Sequence, residues 1–172
     1  IKQSFQIRKS YNSRSHNMLG VMSFPADRQN DAMLEEFSIG QFLLLNRDEK
    51  FDILTYVSRC RLIMQALKVY PNTLDTKLAN LSGGNFQKVI WARVFACSPS
   101  MIIAAEPFRG LDDQTTGIMS ELLESYAASG GIVLVATAND NVAEQFDGKW
   151  MILRDGRLIE CNSMERPNER VS

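Results

Sequence analysis

The chain has 172 residues, of which 45% are hydrophobic, and it carries 19 lysines and arginines against 20 aspartates and glutamates. This composition is that of one globular domain, which at this size buries roughly 70% of the surface that its unfolded chain exposes. It excludes a disordered chain and a collagen-like repeat. Because the formal net charge is only -1, the chain as a whole has no electrostatic attraction to nucleic acid. We therefore expect no nucleic-acid partner.

Cysteine and histidine are too sparse for the usual disulfide and metal frameworks. Cys60, Cys97 and Cys161 are far apart and never form a CxxC pair, which argues against both a disulfide framework and a zinc site. His16 is the only histidine, and it lies in a polar segment typical of a loop. No apolar run approaches the ~20 residues that span a bilayer. We therefore expect no metal ligands, and a protein of the reducing cytoplasm.

The first half of the chain predicts one short strand and then a helical region. Leu19–Phe24 is apolar and of strand length, and Pro25 ends it because proline cannot donate to a strand ladder. Between Ser38 and Val69, apolar residues recur at three- and four-residue steps, which favours two helices. Pro71 then breaks the pattern.

The second half alternates helices with strands. The predicted elements are a helix over Gln87–Cys97, a strand over Met101–Ala105, a helix over Asp113–Ser129, a strand over Ile132–Ala136 and a hairpin of Trp150–Leu153 with Arg157–Ile159. Both strands before the hairpin are continuous apolar runs, the form that parallel strands covered on both faces take. Gly130-Gly131 ends the second helix, and Asp155-Gly156 favours a type I′ turn. This order predicts an α/β fold with right-handed crossovers, followed by a polar tail from Cys161.

A glycine-rich segment precedes the helix predicted at Gln87. Ser82 can accept a hydrogen bond from the first-turn amides, and Gly83 and Gly84 let the backbone approach a ligand closely. The helix dipole adds partial positive charge there, so the segment has the features of a phosphate seat. The alternative is an ordinary N-cap that follows a flexible turn.

A carboxylate follows the first strand of this half. Glu106 comes directly after Met101–Ala105, and the carboxyl end of a buried parallel strand is where α/β sheets bind ligands. A glutamate there could orient or deprotonate an attacking water. The alternative is a strand-end glutamate in contact with solvent.

Together, these segments resemble the motifs of the ATP-binding cassette ATPases. Residues 81–85 (LSGGN) are similar to the signature motif of that family, 102–107 (IIAAEP) to its Walker B segment and 110–112 (GLD) to its D-loop, and the resemblance runs from about Gly20 to Glu160. LSGGNFQKV, EPFRGLD and the Q-loop-like segment GVMSFPADR are similar to the second cassette of tandem importers for ribose-type sugars and nucleosides. The resemblance implies a partial P-loop-NTPase-like α/β domain with a helical signature lobe.

The family's organisation implies four parts in this chain. Residues 1–28 would be a remnant of the ATPase core up to the Q-loop segment, and 29–86 the helical signature subdomain. Residues 87–162 would hold the Walker B, D-loop and switch part of the core, and 163–172 a tail.

In that family two cassettes enclose two ATP molecules, each between the Walker A loop of one cassette and the signature of the other. The resemblance implies that this chain offers its signature residues to the ATP of a partner: Leu81, Ser82, Gly83, Gly84, Asn85 and Gln87. It implies that Gly110, Leu111 and Asp112 reach across the interface as a D-loop. It also implies that Glu106 polarises the attacking water, with ATP and Mg²⁺ present in the intact assembly.

Several parts of the family pattern are missing. No GxxxxGKS or GxxxxGKT occurs, so the loop that cradles the β- and γ-phosphates is absent. Ala26 stands where a Q-loop Gln or Glu would contact magnesium, Ala105 replaces the Walker B Asp, and Thr137 occupies the switch-histidine position. We expect either a piece of a longer protein with its Walker A upstream, which the start at Ile1 favours, or a decayed gene.

Three functions are compatible with these residues. The first is the C-terminal portion of an importer ATPase, which couples ATP hydrolysis to sugar or nucleoside uptake and docks on transmembrane permease subunits at the inner membrane face. The second is a catalytically degenerate cassette that only donates LSGGN to a second ATPase domain. The third is a non-transport cassette of DNA repair or translation, against which the near-neutral charge argues. Phe37, Ile39, Phe42 and Leu43 could face a permease, but their apolar pattern favours the core.

The missing Walker A segment leads to a binding prediction. Without its lysine and amide cradle the chain lacks most of the contacts that hold ATP, and Ala105 removes an anchor for magnesium. We predict that this chain alone neither binds MgATP tightly nor hydrolyses it. Isothermal titration with MgATP should detect no micromolar affinity, and a micromolar dissociation constant would contradict the prediction.

Overall fold

The computed structural model describes residues 36–45, 52–139, 146 and 148–160, and the backbone alone of 21–24 and 161. The α-helices and strands in chain order are strand β1 (Val21–Phe24), helices α1 (Ile39–Leu44), α2 (Ile53–Ala66) and α3 (Gly83–Ala96), strand β2 (Met101–Ala105), helix α4 (Asp113–Ala128), and strands β3 (Ile132–Ala136), β4 (Trp150–Arg154) and β5 (Arg157–Cys161). A short 3-10 helix, Leu78–Asn80, lies between α2 and α3. They fall into two compact units, the first ending at Ala136 and the second starting at Thr137. Predictions on Leu19, His16, Ala26 and the tail 163–172 lie outside the described residues.

Helices α1 and α2 contribute to an apolar core. Ile39 and Leu43 are fully buried, Phe42 is nearly so, and Phe37 is half-buried. The Tyr56 hydroxyl of α2 donates to the Leu43 carbonyl oxygen over 3.1 Å. The core interpretation is therefore confirmed for Ile39, Phe42 and Leu43, and two helices lie in the predicted helical region.

Helix α3 begins at Gly83, four residues before the predicted start at Gln87. Ser82 is its N-cap in extended conformation, and the Ser82 side chain accepts a hydrogen bond from the Asn85 N–H. This capping bond makes the two glycines part of the first helical turn, although their low helix propensity favours a loop. Val89 and Trp91 are completely buried, so the prediction of a well-buried helix is confirmed.

The three-stranded sheet of the first unit is parallel, in the order β1-β2-β3. Ile102 and Ala104 of the central strand β2 are completely buried. Strand β3 has the predicted bounds but not the predicted burial, because Ile132 is 60% and Leu134 48% exposed. Exposure alternates along the strand, so the face that carries Ile132 and Leu134 is left uncovered by the described residues.

Helix α4 ends where the sequence predicts, at the glycine pair. Gly130 takes a φ of 97°, which glycine adopts without strain, and the Gly131 N–H donates to the Tyr126 carbonyl oxygen over 3.1 Å. Met119 and Leu123 are buried on its core face, as the apolar spacing predicts.

The second unit contains the predicted hairpin. Strands β4 and β5 are antiparallel, and Asp155 and Gly156 between them have φ values of 50° and 72°. Two consecutive positive φ angles are those of a type I′ turn, which confirms the prediction. Strand β5 includes Cys161, so the predicted tail begins later than Cys161. Of the helices described, none has the length and apolar character needed to cross a membrane.

Asp112 caps helix α4 through a charged hydrogen-bond acceptor. Its carboxylate accepts the Thr115 N–H over 2.8 Å and the Thr115 hydroxyl over 2.9 Å, and these bonds hold the pKa of Asp112 below the ordinary 3.8. A depressed pKa adds stability that is complete above pH 3.8 and is lost as the pH falls through the folded-state pKa. We predict that Asp112→Asn lowers the free energy of unfolding at pH 7, and that its difference from the parent protein shrinks below pH 3.8.

Urea unfolding at pH 7 and at pH 3 measures this difference. Asp75→Asn is the matched control, because Asp75 lies in an exposed turn and caps no described helix. An Asp112→Asn deficit that is equal at both pH values would contradict the assignment.

Candidate functional site

The N-terminus of α3 presents a polar surface to solvent. Ser82 and Gly83 are exposed, and Gly84 and Asn85 are half-buried. The first hydrogen bond of the helix runs from the Phe86 N–H to the Ser82 carbonyl oxygen over 2.9 Å. Since the Ser82 side chain takes the Asn85 N–H, helix geometry leaves the amides of Gly83 and Gly84 for an acceptor outside the helix. This arrangement can bind an anion at the surface.

Gln87, predicted with the signature residues, lies inside the protein. It is only 3% exposed, and its Nε2 donates to the Pro107 carbonyl oxygen. The Trp91 Nε1 donates to the same oxygen over 3.3 Å. The two side chains are four residues apart on one face of α3, and together they hold the loop that follows Glu106.

The same loop touches the beginning of α3 at two further points. A Cβ atom on Gly84 would lie 2.9 Å from the Gly110 carbonyl oxygen, so only glycine allows this approach. Gly110 itself has a φ of 80°, a left-handed conformation that favours glycine. The Lys88 ammonium lies 4.0 Å from the Asp112 carboxylate. The structure thus brings together Gly84 and Gln87 of the signature segment with Gly110 and Asp112 of the D-loop segment.

Glu106 continues the chain directly after β2, as predicted. Its N–H donates to the Ala136 carbonyl oxygen of β3 over 2.7 Å, which extends the parallel ladder by one bond. Its φ of 47° is left-handed, a conformation that costs a non-glycine residue energy and is common at functional sites. The Arg109 N–H closes the turn onto the Glu106 carbonyl oxygen over 3.3 Å. Glu106 is half-buried.

The residues near β2 do not fit a magnesium ion. Ala105, at the Walker B position, offers only a methyl group, whereas Mg²⁺ requires oxygen ligands. Among the described residues, no cluster of three or more carboxylate, histidine or cysteine side chains is placed to hold a metal. Thr137 follows β3, and its Oγ1 accepts the Asn139 N–H over 3.1 Å. Ala26 lies outside the residues described.

Two contacts of the site escape a motif-based interpretation. The Asn85 side-chain oxygen accepts the Tyr70 N–H over 3.0 Å, and Lys68 Nζ donates to the Gln114 side chain over 3.1 Å. Both join residues far apart in sequence that carry no local pattern. By contrast, the i, i+4 spacing of Gln87 and Trp91 is visible in the sequence. It places both side chains on one face of a helix, where they can share a hydrogen-bond partner.

The chain is similar in sequence to importer ATP-binding proteins. It is 27% identical over 159 residues to Ribose import ATP-binding protein RbsA 2 of Rubrobacter xylanophilus, a match that covers 88% of this chain and 31% of the relative. It is 30% identical over 152 residues to RbsA 2 of Mesorhizobium japonicum, covering 81% and 29%. Xylose import ATP-binding protein XylG of Geobacillus kaustophilus is 27% identical over 160 residues, covering 88% and 32%. No protein-family model matches.

The fold agrees with solved ATP-binding cassettes. An ATP-binding subunit of an ABC transporter superposes with a TM-score of 0.72 at 22% identity, covering 88% of this chain and 63% of that one. A dimeric cassette bound to ADP and phosphate in a post-hydrolysis state gives a TM-score of 0.64 at 20% identity, covering 88% and 68%.

The fold is therefore that of an ATP-binding cassette ATPase domain. The chain is homologous, over most of its own length, to ATP-binding proteins of ribose and xylose importers. It spans about a third of the length of these curated relatives.

The close approach of Gly84 to Gly110 generates a test of the contact between the two segments. We predict that Gly84→Ala destabilises the protein by about 1–3 kcal/mol, because the new methyl group overlaps a backbone oxygen that cannot rotate away. Urea unfolding at constant pH measures the loss.

Gly117→Ala is the matched control. Gly117 lies within α4, and a Cβ there meets no atom within 4 Å. This substitution should stabilise the protein by about 0.5–1 kcal/mol through helix propensity alone. Equal effects of the two alanines would contradict the close contact.

Proposed function

We propose that the chain is the C-terminal portion of an importer ATP-binding subunit, and that it contributes LSGGN to an ATP site completed by a second ATPase domain. The observation that carries this proposal is the solvent-facing N-terminus of α3, held by Gln87 and Trp91 against the loop that follows Glu106. Homology to ribose and xylose import proteins supports simple-sugar uptake as the coupled process, with nucleoside uptake as the alternative substrate class.

The proposed binding chemistry follows from the polar groups of the first turn of α3. The Gly83 and Gly84 amides and the Ser82 hydroxyl are hydrogen-bond donors that suit an anion, and the helix dipole favours negative charge there. The terminal phosphate of ATP, held by the partner cassette, supplies that charge. The role of this chain is to position and neutralise the phosphate, which is the main source of catalysis in phosphoryl transfer.

In this proposal Glu106 orients the attacking water, and Gly110, Leu111 and Asp112 extend the contact with the second ATPase domain. Residues 29–86 form the signature subdomain that faces transmembrane permease subunits, and 87–162 belong to the ATPase core, with 1–28 its upstream remnant. The complex would work in the cytoplasm, on the inner face of the membrane.

A second candidate function is favoured by Ala105. Because the Walker B position lacks an oxygen ligand, the chain's own site does not fit magnesium. A cassette of this kind could serve its partner's ATP through LSGGN and contribute no catalysis through Glu106.

ATP hydrolysis by the complete complex separates the two candidates. We predict that Ser82→Phe abolishes turnover at the partner's ATP, because the bulky ring fills the phosphate seat. We predict that Glu106→Gln lowers kcat by about 10²-fold or more if Glu106 acts as a base. Unaltered turnover of Glu106→Gln would leave only the degenerate cassette.

Glu121→Gln is the control for Glu106→Gln, because it makes the same change at an exposed position of α4. A complex that hydrolyses ATP at the parental rate with Ser82→Phe in place would contradict both candidates.

A further inference from the structure

The orientation of the Asn85 amide is decided by its surroundings. One side-chain atom of Asn85 lies 3.0 Å from the Tyr70 backbone nitrogen. Because a backbone N–H only donates, that atom must be the amide oxygen, Oδ1. The other atom is therefore the NH₂ group, Nδ2, and it lies 3.0 Å from the Ser82 Oγ. Asn85 thus donates a hydrogen bond to Ser82.

Ser82 Oγ receives a second hydrogen bond from the Asn85 N–H over 3.3 Å. A hydroxyl oxygen has two acceptor sites and one proton to donate. Because Asn85 occupies both acceptor sites, the O–H bond of Ser82 points away from Asn85, in a third direction. Since Ser82 is exposed at the start of α3, that direction is available to a ligand.

We propose that Asn85 is a positioning residue that holds the Ser82 hydroxyl as a hydrogen-bond donor toward the terminal phosphate of the partner's ATP. This inference rests on the proposed function, which places that phosphate at the α3 N-terminus. Without Asn85 Nδ2, the hydroxyl is able to rotate and donate its proton to another acceptor. A phosphate oxygen accepts but does not donate, so a donor held in place binds it better than a rotating one.

The chemistry also explains why an amide suits position 85 and a carboxylate does not. An aspartate there would keep the bond from the Tyr70 N–H but present an acceptor to Ser82. The hydroxyl would then donate to that carboxylate, and its proton would be withdrawn from the ligand. The asparagine therefore sets the direction of the hydrogen bond as well as the position of the serine.

A double-mutant cycle tests this inference in the complete complex. ATP hydrolysis is measured for the parent, Ser82→Ala, Asn85→Ala and the double variant, with kcat and KM determined separately. We expect each single variant to lower kcat/KM by about tenfold to hundredfold, the value of one hydrogen bond to a charged group. We expect the double variant to be no worse than Ser82→Ala, because Asn85 acts through the hydroxyl that is already gone.

Independent effects, in which the two losses multiply, would overturn the positioning role while leaving the phosphate seat in place. A Ser82→Ala variant with parental kcat/KM would instead overturn the proposed function at this residue. The two failures are therefore distinguishable.

A fold-preserving variant and a control complete the design. Asn85→Asp keeps the side-chain size and the acceptor for Tyr70. If Asn85→Ala unfolds, the double-mutant cycle is made with Asn85→Asp and Ser82→Ala instead. The loss of kcat/KM caused by Asn85→Asp should be smaller in the Ser82→Ala background, and an unchanged loss would overturn the inference. Asn72→Ala, in an exposed loop, removes an amide of the same kind and should leave kcat/KM unchanged.

Discussion

The carbonyl oxygen of Pro107 is the point on which this site depends. It accepts hydrogen bonds from Gln87 and Trp91, both buried in α3, at the place where the chain leaves β2. A buried amide or indole without a partner costs about 1–3 kcal/mol, so breaking either hydrogen bond to the loop is destabilising. Because Glu106 is the neighbour of Pro107, these two hydrogen bonds join helix α3 to the loop that begins at Glu106. The signature segment and the loop after β2 therefore form one hydrogen-bonded piece.

Other contacts around this piece differ in strength. The Lys88 to Asp112 pair is long, at 4.0 Å, and the Asp112 side chain is 65% exposed, so solvent weakens the attraction. The approach of Gly84 to the Gly110 carbonyl oxygen is instead a steric constraint that salt does not screen. Shape and buried hydrogen bonds thus hold the two segments together, and the charged pair adds little. Under the proposed function, this leaves the exposed groups of the α3 N-terminus available to a ligand.

Local patterns predicted most of the elements, and tertiary context decided the rest. Strands β2 and β3 and the Asp155-Gly156 turn follow from short apolar runs and turn chemistry, which need no knowledge of distant residues. The start of α3 was wrong by one turn because the Ser82 cap outweighs the low helix propensity of two glycines. The burial of β3 was wrong because it depends on what covers a strand, and apolar composition does not contain that information. The motifs singled out two segments that the structure brings together, but they predicted neither the contact between Gly84 and Gly110 nor that Gln87 faces inward.

The two sides of the site differ in what they can bind, and this difference bears on whose nucleotide the chain would serve. On one side, the α3 N-terminus has two amides that helix geometry leaves without an acceptor in the helix, an exposed serine and the order imposed by Asn85, all of which suit an anion that arrives from outside. On the other side, Ala105 provides no oxygen where a magnesium ligand would be needed. Under the proposed function, the ordered serine serves a nucleotide held by a second ATPase domain, and that role does not need a Walker B oxygen on this chain.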